Sequence, residues 1–145
     1  MKRLALGCGL CLLLSLSNFS LVAENRQSAS DDSYNVQATV RNYIEAYYRG
    51  DAERMAETLH PHYLKHVIHG NIPMREKTSA QMVRDVRTGP SDVPAAERTE
   101  QISVLDIDGG IASAKLVTPH WVDYLTLSKS DGQWRILSVV QRIED

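Results

Sequence analysis

In the run Trp121-Val122-Asp123-Tyr124-Leu125-Thr126-Leu127, alternate side chains of a strand share a face, so Asp123 stands in a row with Trp121, Leu125 and Leu127. An ionised carboxylate on a buried face is costly unless it is paired, wetted or protonated. Two chemistries follow. In a dry pocket, desolvation raises the Asp123 pKa and makes it an acid or base; beside Arg41 or Arg135 it stays ionised. His60, His62, His66 and His69 form the other concentration of reactive side chains, and imidazole titrates near neutral pH. In a helix, His62 and His66 share a face, as do His66 and His69, which is a metal-like spacing. No carboxylate stands at a matching position, so the segment reads as solvated, with no metal or cofactor expected. Tyr43 and Tyr47 lie one helical turn apart and can offer hydroxyl donors to a ligand oxygen or simply fill a core.

These groups need a scaffold. From Tyr34 to Arg49, Val36, Val40, Tyr43, Ile44, Tyr47 and Tyr48 recur at spacings of three and four, the stripe of an amphipathic helix that Gly50 ends. Asp51 caps a second, shorter helix with Ala52, Met55, Ala56 and Leu59 inward, stopped by His60-Pro61. From His62 to Pro73 the pattern reads as a helical turn and then a short strand, with a break at Gly70-Asn71. Thr78 and Gln81 have the spacing of a capping box and open a third helix that Gly89-Pro90 closes. The segment from Ser91 to Arg98 is a polar linker. The period then changes to two. Strands around Ile102–Ile107 and Ile111–Val117 flank the turn Asp108-Gly109-Gly110, and strands from Trp121 and from Trp134 flank Ser128–Gly132. Helices followed by an antiparallel meander imply an α+β domain with the helices on one side of a curved sheet.

The first residues stand apart. Lys2-Arg3, the mostly apolar run Leu4–Leu16, and Ala23 before Glu24 have the layout of a secretory signal peptide over 1–23, implying export to the periplasm or secretion. Residues 24–33 are polar and read as a flexible leader, leaving 34–145 as the domain. Cys8 and Cys11 are the only cysteines, so the exported chain has no disulfide or thiol chemistry. Losing Lys2 and Arg3 removes two positive charges from the formal net charge of −2 and leaves −4, a poor match to nucleic acid. After cleavage no membrane segment is expected. No phosphate loop, nucleophile elbow or zinc-protease helix is present in the sequence.

Four short stretches carry a family likeness: Tyr47-Tyr48-Arg49-Gly50-Asp51, Leu59-His60-Pro61, Trp121-Val122-Asp123-Tyr124-Leu125 and Asp131-Gly132-Gln133-Trp134-Arg135-Ile136. In their order and spacing, Val36 to Arg142 resembles the nuclear transport factor 2-like superfamily and, within it, the small bacterial proteins called putative lumazine-binding. The resemblance implies a cone in which a strongly bent antiparallel sheet wraps the first helix and leaves an apolar cavity at its wide end. It places His60 near the mouth of that cavity, as a candidate acid or base alternative to Asp123. Related folds include ketosteroid isomerases, cyclases and dehydratases as well as members that only bind or dimerise, so function has to be argued from the site. In the isomerases a tyrosine and a protonated acid hold the substrate oxygen while a second carboxylate moves the proton. Here Tyr43 or Tyr47 with Asp123 matches the first pair, and the second carboxylate has no counterpart.

The leading expectation is a noncatalytic exported domain that binds a small apolar or aromatic molecule. Its candidate ligand-binding residues are Tyr43, Tyr47, Met55, Trp121 and Leu125, with Asp123 orienting the ligand. The alternatives are a proton-transfer enzyme using Asp123 or His60 with Tyr47, and a homodimer formed through His120, Val122, Tyr124 and Thr126 on the outer sheet face.

Overall fold

The computed structural model describes residues 13–89 and 93–143, with side chains from Ser28 onward. The chain divides into two compact units, Met1–Asp32 and Ser33–Asp145. Helix α1 is assigned as Leu13–Arg49, so residues 24–33, expected as a flexible leader, have helical backbone. The physical reason is local: no glycine or proline interrupts them, and a helix satisfies its amides within the segment. Of the expected signal peptide over 1–23, residues 1–12 lie outside the described residues. Among the described residues no helix is long and apolar enough to cross a membrane.

In the Ser33–Asp145 unit, α1 presents Val36, Val40, Tyr43, Ile44 and Tyr48 to the core, each at most 3% exposed. It ends where Gly50 adopts a left-handed φ of 66° and the Asp51 N–H reaches back to the Ala46 carbonyl at 2.9 Å. Asp51 then caps α2 (Ala52–Thr58), its carboxylate accepting from the Arg54 N–H at 3.0 Å.

The segment after α2 corrects the sequence reading. Leu59 begins a strand and does not end the helix. β1 runs Leu59–His69 and β2 runs Ile72–Thr78, joined through Gly70 at a φ of 50°. The alternation Tyr63, Lys65, Val67, all buried, has period two. Lys65 interrupts its apolar character, which is why a helical turn was an equally good local reading. Helix α3 (Ser79–Thr88) opens on the expected capping box, with the Thr78 N–H donating to Gln81 Oε1 at 2.8 Å and the Gln81 N–H donating to Thr78 Oγ1 at 3.4 Å. Because Thr78 is exposed and its bonds are local, Thr78→Ala should cost about 1 kcal/mol of unfolding free energy in urea and leave the m-value unchanged.

The stretch read as a linker carries a short 3₁₀ turn, Ala95–Glu97. It is held to α1 by the Val93 N–H donating to the Tyr48 carbonyl at 3.1 Å. Strands β3 (Gln101–Asp108), β4 (Ile111–Val117), β5 (Trp121–Ser130) and β6 (Gln133–Ile143) follow as an antiparallel meander. The sheet order is β2-β1-β6-β5-β4-β3, with β1 joining β6 in parallel, a pairing that the meander pattern does not contain.

One irregularity decides which side chains face inward. Thr126 pairs with Ser138 but Leu127 pairs with Ile136, so Leu137 is an extra residue bulged from β6. Before it, Trp134 and Ile136 are buried. After it, the inward parity passes to Val139, Gln141 and Ile143.

Candidate functional site

Asp123 is 0% exposed, inward on β5 with Leu125 and Leu127 as its spacing predicted. Its partner is neither Arg41 nor Arg135. Arg41 is exposed, and Arg135 donates to Gln133 Oε1 at 3.1 Å. The cation is Lys65, 4% exposed, whose Nζ lies 3.6 Å from Asp123 Oδ1. Lys65 reaches across β6, because its own register partner is Val139 and that of Asp123 is Gln141.

Lys65 Nζ also donates to the Tyr43 hydroxyl on α1 at 2.9 Å and lies 5.6 Å from the centre of that ring. The ion pair is longer than a hydrogen bond. Lys65, Gln141 and Trp121 all face the Asp123 carboxylate, yet among the described residues neither of its oxygens has a hydrogen bond of ordinary geometry, and the same holds for Trp121 Nε1 and the Tyr63 hydroxyl.

Burial therefore dominates the electrostatics. It pushes the Asp123 pKa above the usual carboxylate range, with Lys65, Gln141 and Trp121 opposing it. It also pushes Lys65 below the usual amine range, with Asp123 opposing it. Burial raises both Tyr43 and Tyr63, so these phenols stay protonated through the neutral range.

The cluster forms one wall of a cavity of about 200 Å³ between α1 and the β2-β1-β6-β5 end of the sheet. Tyr43 and Tyr47 line it from α1, Lys65 and Val67 from β1, and Trp121 from β5, with the Tyr47 and Trp121 rings edge to face at 5.4 Å. The wall is not the apolar surface expected, because Lys65, Arg75 and Lys77 all contribute to it. A second hollow of about 360 Å³ between α1 and α2 is open to solvent. Its charged groups, including the 2.7 Å Arg54–Glu45 pair, are partly exposed and can be satisfied by water, so it carries no comparable tension.

The expected site residues thus separate. Tyr43, Tyr47 and Trp121 line the cavity, and Asp123 lies against it through Lys65. Met55 and Leu125 do not line it: both are buried in the core, at 0% and 2% exposure. His60 is not among its lining residues either. It follows Leu59, which pairs with Ile136 at the level of Leu127, four residues along β5 from Asp123, so the Leu59 and Asp123 levels are separated by roughly 13 Å along the sheet. In place of a ligand contact, His60 Nδ1 accepts the His62 N–H at 3.1 Å. The strand geometry also removes the shared helical face proposed for His62, His66 and His69, and His66 pairs with Glu76 at 3.2 Å. Among the described residues no three His, Cys, Asp or Glu side chains come together as a metal site.

Sequence reasoning missed Lys65, Gln141, Arg75 and Lys77. The signal for Lys65 was the one used for Asp123, a charge inside an alternating apolar row, Tyr63-x-Lys65-x-Val67, but it is legible only once the segment is known to be a strand.

The helices laid against an open six-stranded curved sheet, with a pocket under the first helix, define the nuclear transport factor 2-like class of proteins. Among solved structures, the fold is similar to a nuclear transport factor 2-like protein of unknown function from Silicibacter pomeroyi, 20% identical, covering 80% of this chain and 98% of that one at a TM-score of 0.68. It is also similar to one from Shewanella baltica, 15% identical, covering 80% and 96% at a TM-score of 0.68. A ketosteroid isomerase-like protein from Erwinia carotovora atroseptica is 12% identical, covering 79% and 97% at a TM-score of 0.58. At these identities the likeness is one of fold. No curated protein matches the chain. The family model described as putative lumazine-binding matches residues 31–141, and the chain belongs to that family.

Proposed function

We propose that the protein is an exported small-molecule-binding domain whose ligand sits between α1 and the sheet, against Tyr43, Tyr47, Trp121 and the Lys65–Asp123 pair. The observation that carries this reading is the placement of a buried ion pair on the wall of a cavity. Burying two charges costs several kcal/mol per ion, and apolar side chains of similar volume do the structural job as well or better. A polar pair kept at a cavity wall is instead suited to orienting a ligand. At about 200 Å³ the cavity is below the roughly 300–1,000 Å³ of sites that engulf drug-sized ligands, so it suits a single ring or one end of a larger planar molecule. The family description makes lumazine the first probe. Export is supported by the layout of Lys2-Arg3, Leu4–Leu16 and Ala23.

Thermal unfolding with increasing lumazine checks the reading. The expected result is a midpoint that rises with ligand concentration, equivalent to about 2.7 kcal/mol at a hundred times Kd, and a smaller rise for Asp123→Asn measured from its own ligand-free midpoint. Equal rises in the two proteins remove Asp123 from the site. As a proton-transfer centre the same cavity offers Asp123 only from behind its wall, through Lys65, with no carboxylate among its described lining residues, and His60 is elsewhere, so binding is the better-supported role.

A second reading concerns the outer face of the sheet. Tyr124 and Val140 are direct cross-strand partners and are 52% and 43% exposed, and neighbouring β1 and β2 expose Ile68 and Met74. This apolar strip supports self-association through the sheet, which sedimentation of the wild type against Tyr124→Lys tests.

A further inference from the structure

The cavity is sided by charge. β1 and β2 pair antiparallel with Lys65 opposite Lys77 and Val67 opposite Arg75, so three cations project from adjacent register positions into the same hollow. Among the described residues no carboxylate lines it. The acids nearest to these cations are already engaged: Asp123 sits behind the wall against Lys65, and Asp85 on α3 holds Lys77 at 2.7 Å. Glu76 lies between Arg75 and Lys77 in sequence, but strand alternation turns it to the outer face, where it meets His66. Arg75 is thereby left as a cation at an exposed position of the cavity wall without an acidic partner among the described residues, and the aromatic edges of Tyr47 and Trp121 stand on other walls of the same hollow.

We propose that the ligand is an anion with an aromatic or conjugated body, an aryl carboxylate or a compound with an equally acidic oxygen. Its charge is held by Arg75, the one of the three cations without an acidic partner among the described residues, and its ring lies against Tyr47 and Trp121. This rests on the ligand-binding reading above and adds the charge of the ligand to it. A guanidinium suits the task because its planar fork meets a carboxylate with two parallel hydrogen bonds, whereas a neutral amide of the same shape engages fewer of its donors. Lys65 is less suited, being committed to Asp123 and Tyr43.

The test uses benzoate and benzamide, which share size and ring and differ in charge. Binding is followed by ¹⁵N-resolved NMR of the full chain, reading the Trp121 indole N–H, a buried group without an ordinary hydrogen bond and so sensitive to a new neighbour. The expected result is benzoate binding about 10-fold tighter than benzamide at low salt, an advantage that shrinks as salt is raised. Arg75→Gln, at an exposed position, should remove most of the benzoate advantage by weakening benzoate far more than benzamide. Equal affinities, or an advantage that survives Arg75→Gln, overturn the anion proposal while leaving cavity binding intact. If neither compound perturbs Trp121 at saturating concentration, the anion proposal and the cavity reading fall together.

Discussion

Lys65→Met is expected to destabilise the protein by about 3–5 kcal/mol, as is Asp123→Leu, while the double variant should recover most of that loss. Each single change leaves one charge in a site that is at most 4% exposed, with neutral groups around it and, for Lys65, the like charge of Lys77. Removing both exchanges two desolvated ions for packing. Urea unfolding of the four proteins completes the cycle, and a coupling near zero would mean that the two side chains do not act as a pair. The double variant is also expected to lose ligand binding despite its restored stability, which separates a functional from a structural reason for the pair.

The single charge-removing change Asp123→Asn has a pH signature whose sign follows from Lys65. Burial already lowers the Lys65 pKa and Asp123 opposes that shift, so losing the carboxylate lowers it further. A lysine with a depressed folded-state pKa contributes stability that is present above its unfolded pKa and is lost as pH falls through the folded pKa. The stability deficit of Asp123→Asn relative to wild type should therefore be largest near neutral pH and narrow as pH rises toward the ordinary lysine range. A deficit that is flat from about pH 6 to about pH 10 would show that Lys65 is not the group left exposed to the change.

The bulge at Leu137 sets two further variants apart. Leu137 is the extra residue, and it allows Ile136 before it and Val139 after it both to face inward. Deleting it leaves Ile136-Ser138-Val139 in plain alternation with the same faces inward, so the cooperative unfolding transition is expected to survive. Inserting one residue between Val139 and Val140 instead exchanges the faces beyond it, turning Gln141 and Ile143 outward and Arg142 inward, where a charge is costly. The expected result in urea is a lower midpoint for the insertion than for the deletion. The reverse order would show that the bulge itself, and not the parity it sets, is what the sheet needs.

Much of the architecture was legible because it is encoded locally. The three-and-four spacing from Val36 to Tyr48, the Thr78/Gln81 cap and the alternation around Asp123 each depend on residues within one or two turns of one another, and each folds as its pattern dictates. The likeness to nuclear transport factor 2-like proteins was carried by equally local stretches. Where the local signal was mixed, it misled: Lys65 in an apolar row made β1 resemble a helical turn, and His60 was placed by its junction instead of by its strand.

From the sequence alone, then, came the helices, the meander and the certainty that an acid at position 123 would need company, since burial of a charge in an alternating strand can be read from neighbouring residues. Tertiary structure decided who keeps that company. Lys65 belongs to a strand inserted in parallel beside β6, and Gln141 owes its inward aim to one bulged residue. Both depend on register between segments distant in the chain, which is set by the packing of whole faces and leaves no trace in the spacing of either segment by itself.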